Sequence, residues 1–533
     1  MPASEKVLSN MNTLLGQILI QTWRTLIGRA TVGILCAVVL SSFSLSIVAA
    51  ERPNFVVILA DDLGWMDINT TAEYATGAPP EKQFYETPHL NRLAEEGVSF
   101  SRCYSMPLCT PSRATILTGR NGATFGFNNA EGMRALKWTY ALVNKTPPGE
   151  YVAHDRLPGS PAKFPLQTAV GNHALPNGLA DSKGHKVYSF AEMLPDYRSA
   201  FLGKWHLGAN NEEGHRPQDF GFETITYEDE GWSKYWKGAR RDWHHPGPAA
   251  QEDYLTDDLT ALSVDWVRKH VEEQPGKPFL LYLSHFAVHD PFQAKPEDVA
   301  YFETKKTRGW NGHDNPSYAG MIRSLDDSVG TIRVALKTLG VADNTIIVFV
   351  SDNGGQAGKK GVRVTSNAPL RGQKAQTFEG GIRVPMIIHL PGQSGTGAWV
   401  DAPVSLEDVA PTLTALAGQS VSEEIRNQWT GQSLVPLLSK RQADFEKRAI
   451  YIHDPYYRVN ALEQGAPFLP PSTVLIEGDY KLIAAHDGTM LLFDLTKDIG
   501  EQNDLSASMP ERVSDMKKRL AAWRLENVPA RYD

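Results

Sequence analysis

The chain has 533 residues, 41% of them hydrophobic and 21% charged, with a formal net charge of −8. That is apolar material for one large core and a smaller one. The acidic balance excludes a general nucleic-acid binder, which needs a basic excess to neutralise phosphates. An anionic ligand would have to be held by a local cluster of cations.

Residues 1–50 read as an export signal. Arg24 and Arg29 precede an apolar run from Ala30 to Ala50, and Val48-Ala49-Ala50 has the small side chains of a cleavage site. Ser41, Ser42, Ser44 and Ser46 dilute the run, so a signal cleaved near Ala50 fits better than a stable membrane anchor. The expected location is periplasmic or secreted. Cys36 falls in this segment, which leaves Cys103 and Cys109, too few for a disulfide framework. They are either two thiols or one bridge closing a short loop.

Phe55 to Ala60 is a continuous apolar run, expected as a strand buried on both faces of a parallel sheet. It ends in Asp61-Asp62-Leu63-Gly64, either a solvated pair of loop aspartates or two ligands of a cation at the sheet edge. Thr87 to Glu96 reads as a short amphipathic helix stopped by Gly97. Cys109 then stands two residues before Pro111, a good first-turn residue, and Ala114, Ile116 and Leu117 supply an apolar face. A cysteine at a helix N-terminus is either a buried structural thiol or a nucleophile favoured by the dipole.

Residues 122–186 hold no clean period, and this irregular insertion reads as substrate-facing loops. A helix is expected over Ser189 to Leu194 and a strand over Ala200 to Leu202. Lys204 and His206 follow, two cation-capable side chains at i and i+2 that would point the same way on a strand-like segment. Residues 227–245 are rich in tyrosine and tryptophan, either stacking faces for sugars or surface packing. A helix over Tyr254 to Val271 precedes a buried strand, Pro278 to His285, which runs on to His289, Asp290 and Pro291. A long helix, Tyr318 to Leu339, leads to a strand, Thr345 to Val350, closed by Asp352-Asn353-Gly354. This repeats the arrangement of Asp61-Asp62. Four such oxygens suit Ca²⁺ or Mg²⁺ rather than zinc.

Alternating strands and helices from 51 to 438 predict an α/β/α sandwich with a large, mostly parallel mixed sheet. From 439 to 533, short strands at 449–453, 473–476, 480–484 and 491–495 and a helix over 509–526 predict a smaller antiparallel sheet packed with a helix.

The stretch from Cys109 to Gly119 resembles the C-x-P-S-R-x-x-x-L-T-G signature of the type I sulfatases at every fixed position. Further blocks follow the family in order: Pro53-Asn54 with its strand and Asp61-Asp62-x-Gly64, Gly203 to Gly208, His289 before Pro291, Gly372 to Pro385, and Val404 to Leu413. The resemblance implies the alkaline-phosphatase-like fold. It also implies that Cys109 is converted to formylglycine by a formylglycine-generating enzyme, the hydrate of the aldehyde being the nucleophile. By the same match, Asp61, Asp62, residue 109, Asp352 and Asn353 hold the divalent cation, Ca²⁺ before Mg²⁺. Lys204 and Lys374 hold the sulfate and Arg113 steadies the hydrate. His289 protonates the leaving alcohol, and His206 takes the proton from the second hydroxyl so that sulfate departs and the aldehyde returns.

The activity implied is hydrolysis of a sulfate monoester, with a sulfated carbohydrate as the expected substrate. Two other readings remain: a phosphonate monoester or phosphodiester hydrolase on the same fold, and a non-catalytic exported glycan-binding protein if Cys109 is never converted.

Overall fold

A strand of six consecutive apolar residues needs a packing layer on each side, and the Phe55–Ala60 run has both. The computed structural model describes residues 52–125, 186–207, 216–227, 235, 254–359, 362–392, 397–439, 444–455, 458, 469–485 and 487–528. The main sheet has eight strands: β1 (Asn54–Ala60), β2 (Val98–Phe100), β3 (Arg198–Gly203), β4 (Glu223–Tyr227), β5 (Phe279–Ser284), β6 (Thr345–Ser351), β7 (Met386–His389) and β8 (Ala398–Val400). Their spatial order is β8-β2-β7-β6-β1-β5-β3-β4. Neighbours from β6 to β4 pair in parallel. β7 alone runs against both its neighbours, and β8 is parallel to β2.

Among the described helices that cover the sheet are α1 (Pro88–Glu96), α2 (Cys109–Thr118), α3 (Leu255–Glu273) and α4 (Pro316–Thr338). The two-residue period of β1 divides its side chains between two cores. Phe55, Val57 and Leu59 meet Ala114, Ile116 and Leu117 of α2, while Val56, Ile58 and Ala60 meet the apolar faces of α1, α3 and α4. This is the expected α/β/α sandwich.

Two local expectations change. α2 is not amphipathic, because all ten of its residues are buried. Its polar groups are satisfied inside: Thr115 and Thr118 hydroxyls donate to the carbonyls of Pro111 and Ala114 at 2.8 and 2.7 Å. Ser189 to Leu194 is a turn, not a helix. The Ser189 and Glu192 side chains each cap the other's backbone N–H, but Pro195 has no N–H to extend the ladder and disfavours a helical Leu194.

Four antiparallel strands follow in simple order: β9 (Ile450–Asp454), β10 (Ser472–Glu477), β11 (Tyr480–Ala485) and β12 (Met490–Asp494). One face packs on Met516 and Leu520 of α5 (Pro510–Asn527). The other face, through Ile450, Val474 and Phe493, packs on Tyr104, Met106, Phe378 and Ile382. The small sheet is therefore pressed against the segments just before Cys109 and just after Lys374. Cys103 and Cys109 are both free thiols. Among the described residues no helix is long and apolar enough to cross a membrane. The expected export signal and most of the 122–186 insertion lie outside the described residues.

Candidate active site

The site forms where β6, β1, β5 and β3 end side by side. Parallel pairing sets Ala60 opposite Ser351, so Asp61-Asp62 and Asp352-Asn353 emerge together, at the carboxyl edge where open α/β sheets bind ligands. β5 pairs with both β1 and β3, which places His289 beyond one end and Lys204 and His206 beyond the next. Backbone bonds lock these ends: Asp352 N–H donates to Ala60 O at 3.0 Å and Asp62 N–H to Asp352 Oδ1 at 3.1 Å.

α2 aims Cys109 into this cluster. Its Sγ lies 3.6 Å from Asp61 Oδ1 and 3.9 Å from Asp62 Oδ1. Lys204 Nζ donates to Asp61 Oδ2 at 2.6 Å, and Lys374 Nζ to Asp62 Oδ2 at 2.7 Å. Arg113, one turn into α2, sends Nε and Nη2 to Asp352 Oδ2 at 3.1 and 2.8 Å. Its Nη1 donates to Lys204 O and Ser284 Oγ at 2.7 and 2.6 Å. Asn353 Nδ2 donates to Asp62 Oδ1 at 2.8 Å. His289 Nε2 is 3.6 Å from Asp62 Oδ2, while Nδ1 donates to Asp290 O at 2.7 Å.

Three of the five non-glycine residues with left-handed backbone, among the described residues, sit here: Asp62 (φ 62°), His206 (φ 57°) and Ala375 (φ 67°). Such conformations cost energy and persist where surrounding contacts impose them. His206 consequently leaves the strand direction, and i, i+2 alternation does not explain its position. Its Nδ1 is 3.3 Å from Thr110 Oγ1, which itself donates to His206 O at 3.2 Å. With the Thr110 hydroxyl given to the carbonyl, the tautomer that fits this pair carries Nδ1–H toward Thr110 and leaves Nε2 basic.

Burial dominates the electrostatics. It raises the Cys109 thiol well above its ordinary value despite Lys204 and Lys374, so the helix N-terminus does not make a thiolate. Burial, then Lys204 and Arg113, lowers His206 well below its usual range. The ring is therefore neutral, although Lys204-x-His206 reads in the sequence as two cation-capable side chains. His289 is lowered to about 3 by burial and Lys374. Burial opposes the charge on Asp62, yet Lys374, His289 and Lys204 hold it well below the carboxylate range. Burial and the charge of Asp61 push Asp352 up to about 6 against Arg113.

The sulfatase family profile matches residues 53–419, and the profile of the N-sulphoglucosamine sulphohydrolase C-terminal region matches 373–526. The chain belongs to the sulfatase family. It is 27% identical to a sulfatase of Formosa agariphila, over 93% of each chain. It is 30% identical to human N-acetylgalactosamine-6-sulfatase, over 87% of this chain and 83% of the relative. The solved structure of Ps i-CgsB in complex with k-i-k-neocarrahexaose superposes with a TM-score of 0.67 at 28% identity, covering 89% of this chain and 93% of that one. The fold is accordingly that of the alkaline-phosphatase-like sulfatases, and the protein is a sulfuric ester hydrolase.

The site holds ligand atoms close enough together to bind a metal ion, with His289 rather than Asp352 in that group. One ligand atom from each of Asp61, Asp62, Cys109 and His289 lies within 4.8 Å of the others. Asn353 Oδ1 is buried and has no hydrogen-bond partner, the state of an amide oxygen whose partner would be a cation.

Some supporting residues were not apparent in the sequence. Asp67 accepts from Gly64 N–H, Tyr318 OH and Thr365 Oγ1 at 2.8, 2.7 and 2.7 Å, bracing the turn after Asp62. Ser284 carries Arg113, and its only sequence signal is its place at the end of a buried strand. Thr110 had no signal beyond adjacency to Cys109. Tyr235 lay within the aromatic stretch but is buried, not a sugar-facing ring. The side chains of the other tyrosines and tryptophans in 227–245 lie outside the described residues.

Proposed function

We propose that this sulfatase hydrolyses a sulfate monoester of a carbohydrate, with residue 109 working as formylglycine and a Ca²⁺ ion held by Asp61, Asp62, residue 109, Asp352 and Asn353. The observation that carries the reading is Cys109 Sγ against two carboxylates whose far oxygens are held by Lys204 and Lys374. Three carboxylates (Asp61, Asp62, Asp352) here face three cations (Arg113, Lys204, Lys374), so a divalent ion leaves a positive surplus for an anionic ester. When bound, the ion polarises the sulfate oxygens and acidifies the nucleophilic hydroxyl.

The chain's own residues do the rest. Lys204 and Lys374 turn from the aspartates to the sulfate oxygens. Arg113 fixes Asp352, which is placed to take the proton of the attacking hydroxyl. His289 presents Nε2 to the leaving oxygen, and the ester's negative charge offsets the lysines that otherwise keep that ring neutral. His206, neutral with Nε2 basic, removes the proton of the second hydroxyl. The hydrate oxygen bonds to sulfur as the S–O bond to the alcohol breaks; the C–O bond at residue 109 breaks next, releasing sulfate and leaving the aldehyde, to which water adds to restore the hydrate.

The carbohydrate substrate is supported by relatives named for N-acetylgalactosamine 6-sulfate and by the neocarrahexaose complex of the structural neighbour. Maturation requires a formylglycine-generating enzyme, and residues 1–50 assign the mature protein to the periplasm or exterior. Residues 51–438 form the catalytic part and 439–533 the C-terminal subdomain.

The test is the mass of the tryptic peptide containing Cys109, taken from the native host. Thiol to aldehyde is a loss of about 18 Da, and an unmodified thiol in active protein would sink the assignment. Cys109→Ala is expected to abolish multiple turnover. A higher kcat/KM on phosphonate or phosphate diesters than on sulfate monoesters would favour the rival hydrolase.

A further inference from the structure

His289 sits on a loop with no regular secondary structure, residues 285–295, between β5 and the next helix. Such a loop holds an imidazole in register with a reacting bond only if something outside it fixes its backbone. Tyr235, 1% exposed, is placed to do so. Its hydroxyl lies 2.6 Å from Phe286 O and 2.8 Å from His289 O, so one O–H is shared between the two carbonyls.

The same residue grips the far end of the loop. Its backbone N–H donates to Gln293 Oε1 at 3.2 Å. Its ring stacks on Tyr254 with centroids 5.8 Å apart, and the Tyr254 hydroxyl donates to Gln293 O at 2.8 Å. Tyr235 is itself anchored, since its carbonyl accepts from Leu255 N–H at the start of α3 at 2.9 Å. The first half of the loop is also bonded to the end of β1, through His285 N–H to Leu59 O, Val288 N–H to Asp61 O and Asp61 N–H to Ala287 O; the aromatic pair at the head of α3 holds the stretch from His289 to Gln293.

We propose that Tyr235 is a positioning residue for the sulfatase reaction: its hydroxyl, bound to the His289 carbonyl, sets the direction in which His289 Nε2 faces the leaving oxygen. The proposal rests on the assignment of His289 to that oxygen. Two bonds converge on the ring's orientation, Tyr235 OH to the carbonyl of His289 and His289 Nδ1–H to the carbonyl of Asp290. Removing the hydroxyl takes a donor from the carbonyls of both Phe286 and His289, so the backbone that carries the ring is held less firmly. The aromatic ring can remain, so the core need not collapse.

The test compares Tyr235→Phe, His289→Ala and the double variant on sulfate esters of graded leaving-group basicity, from 4-nitrophenyl sulfate through phenyl sulfate to a sulfated sugar. Protonation matters little for a stable phenolate and much for an alkoxide. Tyr235→Phe is expected to lower kcat by less than about 3-fold on the nitrophenyl ester and by about 10- to 100-fold on the poorest leaving group. KM should barely change, and the double variant should be no slower than His289→Ala. A crystal structure of Tyr235→Phe should show the His289 ring displaced.

A loss equal across the series, a loss additive with His289→Ala, or an unmoved ring would overturn the proposal. If His289→Ala itself shows no dependence on the leaving group, the assignment of His289 fails and this proposal fails with it. A steep His289→Ala beside a flat Tyr235→Phe refutes only the positioning role.

Discussion

Lys481 of β11 joins the C-terminal sheet to the segment that carries Lys374, and its charge can be removed alone. Its ammonium donates to Glu379 Oε1 at 2.9 Å and stands 2.8 Å from Glu501 Oε1, the second contact being an ion pair without hydrogen-bond alignment. All three side chains are sealed from water. Lys481→Met keeps the stem and deletes the charge. Glu379 retains Tyr104 OH at 3.2 Å and Arg383 Nη1 at 3.4 Å. Glu501 retains the Glu379 backbone N–H at 2.7 Å.

Removing one partner of a buried ion pair costs about 3–5 kcal/mol. Glu501 limits the loss, because burial already pushes it up to about 7 with the lysine present; without the lysine it folds as the neutral acid. The expected cost at pH 7 is therefore at the lower end, about 3 kcal/mol. Residues Arg52–Asp533 form one compact unit. At about 2.1 cal/mol/K per residue the unfolding entropy is about 1 kcal/mol/K, so Tm falls by about 3 °C.

The pH dependence has a definite sign. The folded value for Glu501 stands above the ordinary 4.5, so the folded state binds more protons and stability falls as pH rises from 4.5 toward 7. In the variant that window extends upward, making the deficit larger at pH 8 than at pH 6. Thermal melts at pH 6, 7 and 8 measure it, and Glu501→Gln added to Lys481→Met should flatten it. An unchanged Tm at pH 8, or a deficit that grows on acidification, would refute the reasoning.

Arg113→Met leaves Asp352 without its guanidinium and should lower kcat/KM by at least about 100-fold; Arg113→Lys should recover little, because an ammonium cannot reproduce the fork that spans Asp352, Ser284 and the Lys204 carbonyl. Gly354→Ala would set a Cβ 2.1 Å from Gly380 O, forcing Asn353 away from the Lys374 segment; metal affinity and kcat should fall together, and normal values for both would refute the close approach. Dialysis of active enzyme against a chelator should remove turnover, with Ca²⁺ restoring more than Mg²⁺. Full activity in metal-free protein would end the metal assignment.

Much of this protein was legible in local pattern. An apolar run followed by paired oxygen ligands is a short-range signal, which is why β1 with Asp61-Asp62 and β6 with Asp352-Asn353 could be read directly. The four C-terminal strands and their helix follow from the same periodicity, within a residue or two of their observed ends. The roles proposed for Lys204, His206, His289 and Lys374 come from the family resemblance, because their own spacing could not give them.

Tertiary structure decided what those residues are like. The neutrality of His206 is set by burial beside Lys204, Arg113, His289 and Lys374, three of which are more than eighty residues away in the chain. The Cys109 thiol is raised rather than activated because the whole of α2 is interior. Tyr235 turns inward because carbonyls some fifty residues on need its hydroxyl. The sequence by itself determined most element types, the family and the kinds of groups present, since periodicity and chemistry are properties of neighbouring residues. Charge state, orientation and support were settled only by the fold, because desolvation and Coulomb energies depend on which distant segments the packing brings within a few ångströms.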